Sequence, residues 1–330
     1  MSVLRREGDE GGRSARFTPA VLYRGARLYY EEDRTQAEIA SLLGISRATV
    51  SRLLAEARAT GIVRIEVRDP AAGELESLAS AIAARLGLRR VLLTPSVLGV
   101  GTGAVLAPAV TRLLEEAELR PGDALLVSSG ATMLEISREE LLPLPGVLVA
   151  PNVGGQDEPE GYYQTNEIAR RLAVNAGATP VLLHAPVQPG GELYQLLLGE
   201  PGVRRVLELW QRARCALLGI GLPPRLRTST PTVMRNAGAD LYEAVGDICV
   251  RPYDASGTPI PYPGSDRMLA MELEDLCRIP HAIGVAVGAG KAEAISAAAR
   301  AGYINRLVTD ASTAEAILAL DPVAPAGREA

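Results

Sequence analysis

Lysine is almost missing from this chain of 330 residues. Of the 34 basic residues, Lys291 is the single lysine, and every other one is arginine. Arginine can replace lysine wherever only a surface charge is needed, whereas a compact ammonium group cannot be copied by a planar guanidinium. The composition therefore favours a function for Lys291 over its chance survival.

Cysteine and histidine are also scarce, with three and two residues respectively. Cys215, Cys249 and Cys277 lie far apart, which fits neither a disulfide framework nor the spacing of metal ligands. His184 and His281 form no pair, so the sequence offers few candidate residues for a zinc site or a Ser-His-Asp triad. We expect buried cysteines that act as small apolar residues, and no metal or other cofactor.

Long hydrophobic runs are absent as well. No stretch of about eighteen apolar residues without a charge occurs, so we expect no membrane-spanning helix and no membrane partner. Residues 1–17 are charged and rich in glycine and lack the apolar core of a signal peptide. We therefore predict a disordered leader over residues 1–17 and a cytoplasmic protein.

The charges that are present divide unevenly along the chain. Net charge is -5, with 47% hydrophobic residues and a length that suffices for two domains. Residues 1–70 carry 12 arginines against 10 acidic residues, while the remainder carries 22 basic against 29 acidic residues. The basic excess lies in the small N-terminal part, as a DNA-contacting module requires.

Residues 18–70 have the pattern of a helix-turn-helix domain. Thr18 and Pro19 begin a first helix, Thr35 and Glu38 form a capping box for a second, and Gly44 ends it. A third helix follows Ser46 and ends near Gly61. The second and third helices bury a shared set of apolar positions, namely Ile39, Leu43, Ile45, Val50 and Leu53.

The outer face of the third helix carries short polar groups and arginines, which suit base edges and phosphates in a major groove. Gln36, at the start of the second helix, is placed to meet a phosphate. The alternative is a generic helical hairpin with solvated arginines. The predicted DNA-contacting residues are Gln36, Ser46, Arg47, Ala48, Thr49, Ser51 and Arg52.

The residues after the third helix connect it to a larger domain. Residues 62–68 alternate with period two and predict a strand, as in a wing beside a recognition helix. Residues 69–73 break that pattern, and a helix is predicted from Glu74 to Leu86. We assign residues 71–88 to a linker helix.

Residues 89–330 predict an α/β domain with a doubly wound, mostly parallel sheet. Short continuous apolar runs alternate with amphipathic helices, as in sheets that are buried on both faces. Ligands of such sheets bind at the carboxyl ends of the strands. The predicted strands lie at 91–93, 124–127, 147–150, 181–183, 216–220, 282–287 and 307–309.

Three strand ends carry groups suited to a ligand. Residues 128–132 (SSGAT) precede a helix, and their hydroxyls and free N–H groups can bind a phosphate, although a simple helix cap is the alternative. Gly154 and Gly155 let the backbone approach a ligand, unless they form a plain turn. Residues 288–291 (GAGK) place the single lysine at the start of a helix.

Two familiar nucleotide motifs do not match. A Walker A loop fails at Val285 and Ala292, where it needs glycine and Ser or Thr. Residues 99–104 (GVGTGA) resemble a dinucleotide fingerprint only loosely, and no acidic residue ends the next strand. We interpret this segment as close helix packing.

Taken together, residues 18–320 resemble the SorC family of bacterial sugar-binding transcriptional regulators, also called the SorC/DeoR group. The resemblance rests on QAEIASLLGISRATVSRLL, TPS at 94–96, VSSGATM at 127–133, the glycine pair at 154–155 and Ala185-Pro186. It continues through GIG at 219–221, GDI at 246–248, YDASG at 253–257 and VAVGAGKAEAISAAARAGYINRLVTDASTA at 285–314.

The resemblance implies an effector domain with the fold of sugar-phosphate isomerases and CoA transferases, and oligomers that bind the operators of carbohydrate genes. We expect operator DNA, a phosphorylated sugar and a second copy of the chain, as a homodimer or homotetramer, to be the partners. No second basic residue for a bis-phosphate is identifiable, and residues 156–158 (QDE) place acid near the site mouth. The implied effector site comprises Ser129, Gly130, Thr132, Gly154, Gly155, Asp247, Asp254 and Lys291.

Two other function classes compete with a regulator. An enzyme of the same fold, such as a sugar-phosphate isomerase or amino-sugar deaminase, could use Asp247, Asp254 and Lys291 as acid-base groups. A DNA-binding domain has no role in such an enzyme, so we predict that the chain is not an enzyme and has no catalytic residues. A DNA-packaging or scaffold protein would show no ligand response.

Overall fold

The computed structural model describes residues 17–63, 72–96, 101–227, 231–235 and 241–321. The chain divides into two compact units, residues 1–69 and residues 70–330. The predicted leader lies almost wholly outside the described residues, as does most of the strand predicted at 62–68.

The first unit contains three helices, α1 (Pro19–Tyr30), α2 (Gln36–Leu43) and α3 (Arg47–Ala59). The predicted capping box is present, because the Thr35 hydroxyl accepts from the Glu38 N–H and the Glu38 carboxylate accepts from the Thr35 N–H. Gly44 ends α2 with φ of 67°, a left-handed conformation that glycine adopts without strain. These local signals place α2 and α3 as the sequence predicts.

The three helices share a small apolar core. Gly25 of α1 lies so close to the Leu53 side chain that a Cβ would overlap it. Close crossing of α1 and α3 therefore depends on this glycine. The buried core residues are Leu22, Ala26, Ile39, Val50, Leu53, Leu54 and Ala57.

The second unit is an α/β domain whose helices and strands alternate along most of the chain. Its strands are β1 (Arg90–Thr94), β2 (Ala124–Val127), β3 (Leu148–Pro151), β4 (Thr179–Pro180), β5 (Ala213–Gly219), β6 (Gly246–Ile248), β7 (Arg251–Tyr253), β8 (His281–Val285) and β9 (Arg306–Asp310). Its helices are α4 (Ala72–Leu86), α5 (Thr102–Glu116), α6 (Ala131–Ile136), α7 (Thr165–Asn175), α8 (Gly191–Gly199), α9 (Pro201–Gln211), α10 (Thr232–Arg235), α11 (Leu273–Leu276), α12 (Ala292–Ala301) and α13 (Ala311–Ala319).

Seven strands form one sheet in the order β1-β9-β8-β5-β2-β3-β4, and every described pair in it is parallel. Two large apolar cores include side chains of the central strands β2, β5 and β8. Burial on both faces explains the continuous apolar runs in the sequence. β6 and β7 pair separately as an antiparallel hairpin.

One strand prediction is wrong in position. β4 contains only Thr179 and Pro180, and the apolar run at 181–183 lies beyond it. The Asn166 side chain accepts from the Leu183 N–H and donates to the Leu183 carbonyl. A side chain thus satisfies the backbone groups that a neighbouring strand would otherwise pair.

The helix that the sequence presents as a linker is part of the second unit. α4 packs against β1, α12 and α13 and contributes Ala79, Ile82 and Leu86 to the core. Close packing at α5 also agrees with the sequence, because a Cβ on Gly103 would come within 2.6 Å of the Glu135 carbonyl oxygen.

The three cysteines are free and differ in their burial. Cys215 and Cys249 are buried, whereas Cys277 is exposed at the end of α11, so the expectation of burial is wrong for Cys277. The described residues contain no group of three or more side chains that could hold a metal ion. No helix among them is long and apolar enough to cross a membrane.

Candidate functional site

A cavity of about 220 Å³ lies at the carboxyl ends of β2, β5 and β8, beside the hairpin of β6 and β7. The parallel order brings together loops that are far apart in sequence. Ser129, Gly130, Thr132, Asp247 and Lys291, all predicted from the sequence, line this cavity. Its other described lining residues are Ala131, Met133, Gln156, Tyr162, Tyr163, Gly219, Ile220, Gly221, Leu222, Arg227, Pro231, Cys249 and Val250.

Lys291 stands where the loop after β8 turns into α12. The turn is tight, because Gly288 has φ of 109° and its N–H donates to the Thr313 hydroxyl at 2.7 Å. Burial, with a smaller contribution from the charge of Arg227, lowers the pKa of Lys291 to about 8. The ammonium group is therefore mostly charged at neutral pH but gives up its proton readily.

Arg227 and Asp247 form an ion pair in the cavity wall, and both side chains are about nine-tenths buried. The Arg227 Nε also donates to the Leu222 carbonyl at 2.7 Å. A Cβ on Gly221 would overlap both charged side chains, so this pair requires glycine there. Burial lowers the pKa of Arg227, but a guanidinium keeps its charge at neutral pH.

The turn after β2 also lines the cavity, through Ser129 and Gly130. The Ser129 hydroxyl accepts from the Gln156 amide at 3.1 Å, and the Gly130 N–H donates to the Tyr162 carbonyl at 2.7 Å. Gly130 has φ of 129°, which disfavours any other residue there. Ser128 holds the turn to β5, because its hydroxyl accepts from the Gly219 N–H at 2.7 Å.

Three predicted effector residues lie outside the cavity lining. Gly154 and Gly155 pack against the backbone of Ala185 and Pro186, and a Cβ on Gly154 would come within 2.8 Å of the Ala185 carbonyl oxygen. The Asp254 carboxylate accepts from the N–H groups of Ser256 and Thr258. We therefore assign the glycines to close backbone packing and Asp254 to a turn.

The pKa of the Asp254 carboxyl group agrees with this role in a turn. Burial raises its pKa, but hydrogen bonds from Ser256 and Thr258, with a further one from Gly257, outweigh burial and give a lowered pKa. The carboxylate is thus satisfied within its own loop. It has the features of a turn residue rather than of a free acid-base group.

Sequence reasoning missed two polar residues of the cavity. Arg227 is one arginine among many, and its partner Asp247 lies twenty residues away, so no local pattern marks it. Gln156 follows the glycine pair, but in the sequence it belongs to an otherwise acidic group, residues 156–158. Glu158 of that group is buried and accepts from the Thr232 N–H instead of lining the cavity.

Six of the seven predicted DNA-contacting residues lie between Ser46, which caps α3, and Arg52, and Gln36 is the first residue of α2. Arg47, Ala48, Ser51 and Arg52 are exposed. The Ser46 hydroxyl caps α3 by accepting from the Thr49 N–H at 3.1 Å, and it also bonds the Thr49 hydroxyl at 2.8 Å. Gln36 and Thr49 are half-buried.

Comparison with known proteins gives matches for both units. The family model described as "Putative sugar-binding domain" matches residues 70–319, and the model described as "Sigma-70, region 4" matches residues 27–60. The chain is similar to the Deoxyribonucleoside regulator of Bacillus subtilis, with 31% identity over 89% of this chain and 95% of that protein. It is also similar to the Sorbitol operon regulator of Klebsiella pneumoniae, with 32% identity over 89% of this chain and 96% of that protein.

A solved structure extends the similarity to the fold. The crystal structure of the full-length sorbitol operon regulator SorC from Klebsiella pneumoniae matches with a TM-score of 0.70 and 29% identity. The match covers 91% of this chain and 98% of that chain. These relatives are named as regulators, and none of them as an enzyme.

Proposed function

Because this chain belongs to the SorC family of sugar-binding transcriptional regulators, we propose that a phosphorylated sugar binds the cavity and controls its attachment to operator DNA. The chain itself is a DNA-binding transcriptional regulator with a sugar-binding domain and is not an enzyme. The proposal concerns the chemistry of the effector, the residues that bind it and the operator genes. Those genes serve the uptake or breakdown of carbohydrates.

The observation that carries the proposal is the pair of cations in the cavity. Lys291 and Arg227 both line it, together with the hydroxyls of Ser129 and Thr132. Charge-assisted hydrogen bonds from ammonium and guanidinium groups are the strong contacts by which proteins hold phosphate. Asp247 supplies an acceptor beside them, as sugar hydroxyls require.

The enzyme alternative has less support from the site. An isomerase needs a free acid-base pair in contact with substrate, whereas Asp247 is engaged with Arg227 and Asp254 with its own loop. A turnover assay with sugar phosphates separates the two functions. A regulator binds and releases them unchanged.

Titration calorimetry of the full chain tests the effector class. Hexose, pentose and triose monophosphates are compared with the same sugars without phosphate. The contribution of a charge-assisted contact is about 1.5–3 kcal/mol, so the best phosphorylated sugar is expected to bind at least about tenfold tighter than its parent sugar. Equal affinity for both forms, or no binding by any monophosphate, would contradict the proposal.

We further propose that operator binding requires a dimer or a higher oligomer. One helix-turn-helix with a small basic excess supplies few phosphate contacts. Helix-turn-helix proteins commonly bind as dimers to two half-sites, which adds the contacts of a second domain. Analytical ultracentrifugation checks this at micromolar concentration. A monomer that still binds operator tightly would exclude it.

A further inference from the structure

We propose that the free edge of β1 is the surface through which a second copy of this chain binds, with the two β1 strands pairing antiparallel about a two-fold axis at Leu92. This inference rests on the oligomer proposed above and assigns a surface to it. It depends on the backbone groups, the apolar side chains and the charges that border this edge.

The two edges of the seven-stranded sheet differ in how they are protected. At the β4 edge, Pro180 has no N–H, and the Asn166 side chain occupies the backbone groups of Leu183. At the other edge, β1 runs for five residues without a proline and pairs with β9 alone among the described strands. An edge strand of this kind is ready to pair with a strand of another chain.

The backbone groups of β1 point alternately to β9 and to the free edge. The Arg89 N–H donates to the Asn305 carbonyl at 2.9 Å, which shows that the odd-numbered residues face β9. Arg90, Leu92 and Thr94 therefore direct their N–H and C=O groups to the free edge. Antiparallel pairing centred on Leu92 matches Arg90 of one chain with Thr94 of the second copy, and it satisfies these groups in both chains.

A cavity of about 510 Å³ lies along this edge and is lined by β1, by α4 and by Arg112 of α5. Leu92 and Leu93 are half-buried there, and they pack against different apolar cores of the domain. The α4 wall carries small side chains at Ala79 and Ala83, which leave space for another chain. A strand added to β1 would cover both leucines and so remove further apolar surface from water.

Two opposite charges lie at the two ends of this cavity. Residues 87–89 connect α4 directly to β1, so the helix runs back along the strand. Rises of about 1.5 Å per helical residue and about 3.3 Å per strand residue place Glu76 level with Thr94. Arg89 lies at the other end, just before β1. Neither Glu76 nor Arg89 forms an ion pair with another residue in the described part of the chain.

This distribution of charge favours a second copy of the chain over an unrelated strand. A two-fold axis at Leu92 reverses the direction of the second copy, so that Arg89 of each chain meets Glu76 of the other. An acidic strand from another protein would suit Arg89 and Arg112 but would oppose Glu76. Only a partner with its own charges reversed end to end satisfies both.

Analytical ultracentrifugation of the full chain gives the dissociation constant for self-association. Leu92→Pro removes an N–H that faces the free edge and leaves the hydrogen bonds to β9 in place. We expect the dissociation constant to rise about tenfold or more, because each dimer loses two hydrogen bonds. Leu92→Val keeps the N–H and is expected to weaken self-association by about threefold at most. Parent-like self-association of Leu92→Pro would overturn the inference.

A charge-reversal pair covers the case in which proline disturbs the strand. Arg89→Glu or Glu76→Arg alone brings like charges together at both ends of the interface and should weaken self-association about threefold or more. The double variant restores opposite charges and should recover most of that loss. Unchanged self-association in the single variants, or no recovery in the double variant, would refute the two-fold arrangement.

Cysteine crosslinking locates the axis itself. In a Cys277→Ser background, Leu92→Cys brings two thiols opposite each other with Cα atoms about 5.5 Å apart, within reach of a disulfide. Leu196→Cys, on the exposed side of α8, is the control for random collision. We expect rapid formation of linked dimers with Leu92→Cys alone, and a rate no higher than that of Leu196→Cys would overturn the inference.

The outcomes also separate this inference from the oligomer on which it rests. An edge covered by another segment of the same chain, such as the strand predicted at 62–68, would give no crosslink between chains. A dimer that survives all of these changes binds through another surface, so the inference would fail and the proposed oligomer would stand. A monomer that binds operator tightly would exclude both.

Discussion

Replacing Lys291 gives the most direct measure of the effector site. We compare Lys291→Ala and Lys291→Arg with the parent protein. Removal of a charge-assisted hydrogen bond costs about 1.5–3 kcal/mol, or about ten- to a hundredfold in affinity. Arginine keeps the charge, but its guanidinium group is planar, lies on a longer side chain and needs a pocket of different shape. We therefore expect weakened binding of the phosphorylated sugar in both variants.

The pH dependence of binding separates a direct role of Lys291 from a structural one. Its pKa is about 8 in the free protein, and a bound phosphate raises that pKa because it stabilises the ammonium form. Affinity should therefore be steady below about pH 8 and fall as pH rises through it, by at most about tenfold per pH unit for one proton. Lys291→Arg should lose this dependence, because arginine does not titrate there.

Titration calorimetry of the best phosphorylated sugar between pH 6.5 and pH 9.5 measures both effects. Operator binding without ligand serves as the control and should stay near the parent value in both variants, since Lys291 lies outside the first unit. If both variants bind the sugar as well as the parent does, or if the pH profile of the parent is flat, Lys291 is a structural residue and this model of the site is wrong.

The remaining predictions concern the two units separately. Arg47→Ala and Arg52→Ala should each weaken operator binding at fixed salt by about 1–3 kcal/mol if they contact bases, and unchanged affinity in both would refute the recognition-helix assignment. Gly221→Ala should displace the Arg227–Asp247 pair and abolish detectable sugar binding while operator binding persists; parent-like calorimetry would show that the pair tolerates the methyl group. Thr35→Ala should destabilise the first unit by about 1 kcal/mol in chemical denaturation, and no change would mean that the capping box adds nothing.

The helix-turn-helix could be located from the sequence because its signals are local. Thr35 and Glu38 are three residues apart, and Gly44 needs only its own backbone to end a helix. A cap and a turn glycine depend on neighbours within one turn of chain. Their positions in the structure consequently match the prediction.

The candidate effector cavity could be predicted only in part, because its composition depends on long-range topology. Ser129 and Lys291 follow apolar runs that mark strands, so the carboxyl-edge rule places them correctly. Arg227 follows no such run closely, and it becomes part of the site only through Asp247 and the loop at Leu222. Gly154 and Gly155 show how one sequence pattern fits two structures, because a glycine pair that could admit a ligand also admits the backbone of Ala185, which lies against both residues.

The strand predicted at 181–183 failed for a related reason. Its residues are apolar and partly buried, as a strand requires, but the Asn166 side chain occupies the backbone groups of Leu183. A side chain seventeen residues away cannot be inferred from the local pattern. Apolar burial and strand pairing are separate properties, and at this sheet edge they do not coincide.

The single lysine has a practical consequence for observing the regulator at work. Amine-directed reagents react with the uncharged amine, and Lys291, with a pKa of about 8, presents a larger uncharged fraction at neutral pH than an ordinary lysine. Apart from the N-terminal amine, the chain has no other primary amine to react. Acylation at Lys291, followed by mass spectrometry of intact and digested protein, would thus report occupancy of the cavity in the unmodified wild-type chain, with the N-terminus as an internal reference.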